Sequence, residues 1–245
     1  MRETTAIVTG ASRGFGRGIA EALVATGAHV VGVARTGAQL EQVHAELGDS
    51  FTAVIADAAD PAIASRLIGQ YRPRTVVLCA GAAPLMTPIQ NQTWESFSAN
   101  WNVDVAQAFH WTREALRCPL DPGSSVIVFS SGAAINGSPL SGGYAGANAT
   151  VKFLTDYAAI ESERDGLGID FTSLLPQLTP ATELGAAAVA AYAERQGVDV
   201  DTFVQSMGST LTPRQVGASV VQFATMRQPA HRSYALTTAG PTAIA

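Results

Sequence analysis

Charge is scarce in this sequence. Of its 245 residues only 14 % are charged, and lysine occurs once, at Lys152. The formal net charge is −5 and the pI about 5.3, with no basic run. Nucleic acid and anionic membrane surfaces are therefore not expected partners. Nor does any apolar run approach the roughly 18 residues that a membrane span needs. The two cysteines, Cys79 and Cys118, form neither a disulfide framework nor a metal-ligand spacing. His29, His44, His110 and His231 are scattered and read as surface or packing residues rather than metal ligands. A strand pattern begins almost at the first residue, which leaves no room for a leader, so the expected location is cytoplasmic. Internal repeats, low-complexity segments and linkers are absent, and one domain is the economical reading.

What is abundant is apolar: 47 % of the residues are hydrophobic. That fraction and the length suit a well-buried α/β protein and argue against disorder. Short β-branched runs alternate with helical patterns. "TTAIVTG", "AHVVGVAR", "FTAVIAD", "TVVLCAG", "SSVIVFSS" and "IDFTSLLP" read as six strands without polar alternation. Between them, helices are expected to end on Gly27 and Gly48, and one to open on Asp60 and Pro61. Two long helices are expected, at 94–117 and 141–164. After Pro180 an alanine-rich helix is expected, then one capped by Thr212 before Pro213, then a last strand in "HRSYALTTAG". Right-handed crossovers turn this pattern into a doubly wound parallel sheet covered on both faces.

The first strand runs into "TGASRGFGRG", where Gly10, Gly14 and Gly16 stand at the turn into a helix. Glycines there permit a tight turn and close approach of a pyrophosphate to the helix N-terminus. The strand before and the helix after are the context that gives the motif meaning. The second strand ends in Arg35, where a free ribose 2′-hydroxyl would meet an acid. With Arg13 in the glycine loop, two guanidiniums suit a 2′-phosphate, so NADP(H) is expected over NAD(H). Either arginine is otherwise a solvated surface residue. Asp57, after the third strand, reads as a polar strand terminus or as a partner of the adenine amino group.

"TGASRGFG" at Thr9–Gly16, "AD" at Asp57 and Ala58, "CAG" at Cys79–Gly81, and Ser131 thirteen residues before Tyr144 carry a resemblance. Over essentially its full length the chain resembles the short-chain dehydrogenase/reductase family. The resemblance implies a Rossmann-like α/β domain spanning 1–245, with a lid at about 177–210. Cofactor contacts are implied for Gly10, Ser12, Arg13, Gly14, Phe15, Gly16, Arg35, Asp57, Ala58, Ala80 and Gly81. Further cofactor contacts are implied for Tyr144, Asn148, Pro176 and Thr179; Thr179 reads equally as a loop hydroxyl that caps the next turn. A homodimer or homotetramer is also implied, pairing the two long helices.

The family's serine holds the substrate oxygen, and its tyrosine exchanges a proton with it. A lysine four residues after the tyrosine lowers that tyrosine's pKa, and an asparagine in the preceding long helix orders a water relay. Here the lysine position is Asn148. With Phe109 anchoring the alignment, the asparagine position is Asp104; Asn102 would need a register shift. Lys152 shares a helix face with Tyr144 and Asn148, but i to i+8 is about 12 Å along the axis. It is expected at the surface or between subunits.

Without the cation, Tyr144 should be a poor base and remain a hydrogen-bond donor. Asp104 reads as a weak base, a holder of a cationic substrate, or a helix-surface acid. Met86 and Leu85 read as pocket lining or as core packing, and the short-chained apolar lid suggests an apolar small-molecule substrate. The first expectation is an NADP(H)-dependent reductase of a ketone, aldehyde or related C=X group, using Ser131, Tyr144, Asn148 and Asp104. The alternatives are a non-redox cyclase, dehydratase or isomerase on the same scaffold, and a non-catalytic nucleotide-binding partner protein.

Overall fold

The computed structural model describes residues 1, 3–226 and 229–244. The chain begins with β1 (Thr5–Thr9), α1 (Gly14–Ala25), β2 (His29–Ala34), α2 (Gly37–Leu47), β3 (Phe51–Ile55), α3 (Pro61–Tyr71) and β4 (Thr75–Leu78). It continues with α4 (Trp94–Ser98), α5 (Asp104–Arg117), β5 (Ser125–Phe129), α6 (Ala133–Asn136), α7 (Gly142–Arg164) and β6 (Asp170–Pro176). It closes with α8 (Glu183–Gln196), α9 (Val200–Ser206), α10 (Pro213–Thr225), β7 (Ser233–Thr237) and β8 (Gly240–Ala243).

The strands form one sheet in the order β3-β2-β1-β4-β5-β6-β7-β8. All neighbours are parallel except the antiparallel pair β7–β8. The order reverses direction between β1 and β4, which is where a doubly wound sheet opens a crevice at the carboxyl ends of its strands. Successive side chains of β1 go to opposite faces, as a period of two requires. Ala6 and Val8 pack with Ile19, Leu23, Val216, Val220 and Phe223 under α1 and α10. Ile7 packs with Leu67, Trp111, Ala115 and Val151 under α3, α5 and α7. The α1–α10 contact is backbone-close: a Cβ on Gly18 would lie 2.7 Å from the Pro213 carbonyl oxygen.

The caps fall where the sequence puts them. Asp60 accepts from Ala62 N ahead of Pro61, and Thr212 forms a reciprocal capping box with Gln215. Four expectations are corrected. The long helix at 94–117 is interrupted: α4 gives way to a 3-10 turn at Ala99–Trp101 before α5 starts. The cause is Asn100, which is buried and whose Nδ2 donates to the Ala82 carbonyl and to Asp104 Oδ2. The lid holds two helices, α8 and α9, rather than one. They share a small core of Val189, Ala193 and Phe203. The short α6 was not foreseen, and β8 adds a strand beyond the last one expected. Among the described residues, no helix is long and apolar enough to cross a membrane.

Candidate active site

A cleft of about 870 Å³ runs across the carboxyl ends of the strands. Every residue singled out above for cofactor or catalysis lines it, from Arg35 and Asp57 at one end to Ser131, Tyr144 and Asn148 at the other.

The glycine loop forms one wall. Thr9 anchors it: its hydroxyl accepts from Cys79 N at 2.9 Å and Ala80 N at 3.2 Å, which ties the end of β1 to the loop after β4. Gly10 has φ +70°, and a Cβ there would sit 2.9 Å from Ala80 backbone atoms. A Cβ on Gly16 would overlap the Gly10 carbonyl. The N-terminus of α1 has no side-chain cap. Its first N–H groups and dipole thus face the cleft with room for an anion, and the residues present fit a nucleotide pyrophosphate. Arg35 lines the cleft beyond it. Arg13 also lines the cleft, but its guanidinium is ion-paired to Glu183 at the start of the lid helix. Asp57 Oδ1 accepts from Ala59 N at 2.9 Å, the geometry of a turn.

The reacting end is built by β5, α5 and α7. Ser131 follows β5, and its hydroxyl accepts from Ala133 N at 3.2 Å. Tyr144 and Asn148 share one face of α7, and Ser130 Oγ donates to the Asn148 carbonyl at 2.9 Å, fixing α7 against the end of β5. Asn148 Nδ2 donates to the Tyr144 carbonyl at 3.0 Å. Burial pushes the Tyr144 hydroxyl up to about 12. A hydrogen bond with Ser131 opposes this, the Asp104 and Cys79 charges reinforce it, and a hydrogen bond with Asn148 opposes it weakly. Tyr144 is therefore a neutral donor near neutral pH.

Asp104 is not a surface acid. It is 7 % exposed, accepts from Ala82 N at 2.8 Å and Asn100 Nδ2 at 3.0 Å, and its carboxyl is pushed up to about 6 by burial. Asn102, by contrast, is exposed and outside the cleft. Because the folded pKa of Asp104 lies above its ordinary 3.8, folding favours the neutral acid. That contribution to stability is complete below the ordinary pKa and is lost as pH rises through about 6. A two-unit shift corresponds to roughly 3 kcal/mol. Asp104→Asn should flatten the stability profile across this window, measured as urea-unfolding free energy at a series of pH values.

Other residues sort cleanly. Lys152 Nζ pairs with Asp156 Oδ2 at 3.0 Å and does not line the cleft, so it does not replace the absent cation. The Thr179 hydroxyl donates to the Leu211 carbonyl and accepts from Ala181 N, so it caps the local turn. Met86 lines the cleft, whereas Leu85 is exposed and outside it. Sequence reading missed Asn100, Gln107 and Glu183. It also missed the Ser138–Tyr192 hydroxyl pair, which joins the loop after α6 to the lid. Only the i, i+4 spacing of Asn100 and Asp104 was a signal for any of them.

The chain matches the family model described as short chain dehydrogenase over residues 4–193. It is 33 % identical over 128 residues to carbonyl reductase (NADPH) 2 of Sus scrofa, covering 51 % of this chain and 52 % of that protein. The chain thus spans about half the length of that curated relative. It is 30 % identical over 234 residues to erythronolide synthase EryA3 of Saccharopolyspora erythraea, covering 89 % of this chain and 7 % of that protein. Among solved structures, a 3-ketoacyl-(acyl-carrier-protein) reductase from Brucella melitensis complexed with NADH superimposes with a TM-score of 0.75. That match covers 92 % of this chain and 94 % of the other at 23 % identity, a likeness of fold. With the strand order, the glycine turn and the Ser131–Tyr144 pair in place, the family match is decisive: the chain belongs to the short-chain dehydrogenase/reductase family of oxidoreductases.

Proposed function

We propose that the protein is an NADP(H)-dependent reductase of ketones, aldehydes or related C=X groups on apolar small molecules. The observation that carries this is the convergence of Ser131 and a neutral Tyr144 at one end of a cleft whose other end is an uncapped glycine turn. The similarity to proteins named as reductases supports it.

A bound nicotinamide supplies the hydride. Gly10, Ser12, Gly14, Phe15 and Gly16 would receive its pyrophosphate, and Arg35 a 2′-phosphate. Ala58 and Asp57 would flank the base, with Ala80, Gly81, Pro176 and Thr179 along the remaining length. Ser131 holds the substrate oxygen, and Tyr144 gives it a proton as the carbonyl carbon accepts hydride. Both act where negative charge develops. Asn148 steadies α7 beneath the tyrosine, and Asp104, whose charge acts on Tyr144, is a group able to return a proton. The substrate end is closed by Met86, Ile135, Ala188 and Tyr192, which favour an apolar ligand.

The test is loss of reduced nicotinamide absorbance with a panel of aldehydes and ketones. NADPH should be preferred over NADH by at least about tenfold, given roughly 1.5–3 kcal/mol for a charged hydrogen bond to the 2′-phosphate. That preference should fall in Arg35→Ala. Equal use of both cofactors by the unmodified chain would overturn the NADP(H) assignment.

One observation favours a second reading. Asp104 is a buried carboxyl with a pKa near neutral, set beside a tyrosine that donates. That pairing suits proton abstraction with Ser131 and Tyr144 stabilising an oxyanion, as in an isomerase or dehydratase. Product formed with no change in nicotinamide redox state would select it. We also propose a homo-oligomer through α5 and α7, where Phe109, Phe153, Tyr157 and Ile160 are exposed.

A further inference from the structure

The glycine turn is fastened to β2 on one side and meets the start of the lid on the other. Gly10 N and Ala11 N both donate to the Val33 carbonyl, at 2.8 and 3.4 Å. Arg13 follows Ala11 by two residues, and Arg35 follows Val33 by two. Each arginine Cα therefore lies within about 8 Å of its own side of that joint, and both arginines line the cleft. The lid begins against the same turn. Thr182 caps α8, its hydroxyl accepting from Gly185 N at 3.1 Å. Its Cγ2 lies 3.5 Å from where a Cβ on Gly14 would be. Glu183 stands in the first turn of α8, where the helix dipole favours a carboxylate. From there it pairs with the Arg13 guanidinium. The two side chains are 61 % and 66 % exposed, so the pair is open to water and weak. A guanidinium gains more from a phosphate dianion, which it can grip through two parallel hydrogen bonds.

We infer that Glu183 is a cofactor-selectivity residue: it competes with the 2′-phosphate of NADP(H) for the Arg13 guanidinium. In the free protein the carboxylate holds the arginine. On binding, the phosphate takes it, and Glu183 stays at the helix start, where the α8 dipole still favours it. NADH carries no group to make that exchange and leaves the pair intact. Glu183 thus weakens binding of NADPH and not of NADH. The inference rests on the NADP(H) reading above, since a cofactor without the phosphate has nothing to exchange.

The experiment measures dissociation constants of NADPH and NADH by nucleotide fluorescence. The full chain is compared with Glu183→Gln, Arg13→Gln, the double variant and Arg35→Ala, all at one ionic strength because exposed charges are screened. Glu183→Gln should tighten NADPH about three- to fivefold, the full worth of an exposed ion pair, and leave NADH unchanged. Arg13→Gln should loosen NADPH about tenfold, as for loss of one charged hydrogen bond. In that background Glu183→Gln should have no further effect. Equal tightening with and without Arg13 overturns the proposal, because the carboxylate would then act on the phosphate directly. An unchanged NADPH constant in Glu183→Gln overturns it as well. Arg35→Ala separates the two readings. A preference for NADPH that Arg35→Ala removes, with no response to Glu183→Gln, sinks the competition alone. Equal binding of both cofactors by the unmodified chain sinks the NADP(H) reading and the competition with it.

Discussion

Replacing Tyr144 by Phe should lower carbonyl turnover by roughly 10²–10⁴-fold, the contribution of a positioned proton donor. Affinity for NADPH should stay nearly unchanged. The ring is retained, so packing on α7 survives, and the Asn148 Nδ2 bond to the Tyr144 backbone carbonyl is kept. With a pKa raised to about 12, the hydroxyl is protonated throughout the neutral range. The reductive rate should therefore show no ionisation of Tyr144 below that value. Measuring kcat and KM for one good carbonyl substrate, beside NADPH binding by fluorescence, separates the roles. A Phe variant with full turnover would revive the reading of the site as non-catalytic.

Asn148→Lys should have the opposite character: a gain, and one confined to alcohol oxidation. A cation beside the hydroxyl lowers a tyrosine pKa by about 1–3 units. At a pH below that pKa, the phenolate fraction and hence the oxidative rate should rise about 10–10³-fold. The alkaline limb of the pH profile should move down by the same number of units. The site has room for the change, since Asn148 lines the cleft, and Asp104 is there to balance a buried ammonium. Asn148→Met, of similar reach and no charge, is the control. If the Lys variant binds NADPH and its oxidative profile does not move, Tyr144 is not limited by the missing cation.

The sheet was legible because strands buried on both faces cannot hide their apolar runs. The caps at Asp60 and Thr212 were legible because their chemistry is local. Ser131, Tyr144 and Asn148 were legible for the same reason: one strand end and one helix carry them at fixed spacing. What failed to show is what depends on distant partners. The break before α5 is set by Asn100 reaching Ala82, eighteen residues earlier in sequence. Arg13 reads as a phosphate ligand in its own loop, yet its present partner is Glu183, which no local pattern places beside it. Asp104 alternated between surface and site until the helix packing buried it. Gln107 carried no signal at all, because a bond to a distant backbone carbonyl is a fact about surroundings.

The close seam between α1 and α10 bears on how the molecule is made. The glycine turn leaves the ribosome well before the helix that fits against Gly18, which lies at Pro213–Thr225. A growing polypeptide can assemble β1 to β6 in order, with each crossover closing on strands already present. The helix bearing the nucleotide turn must wait, with the apolar face of Ile19 and Leu23 uncovered, until Val216, Val220 and Phe223 arrive. Completing the packing of α1 is thus a late event relative to the synthesis of the glycine turn. A nascent chain arrested before α10 should be the species that chaperones hold.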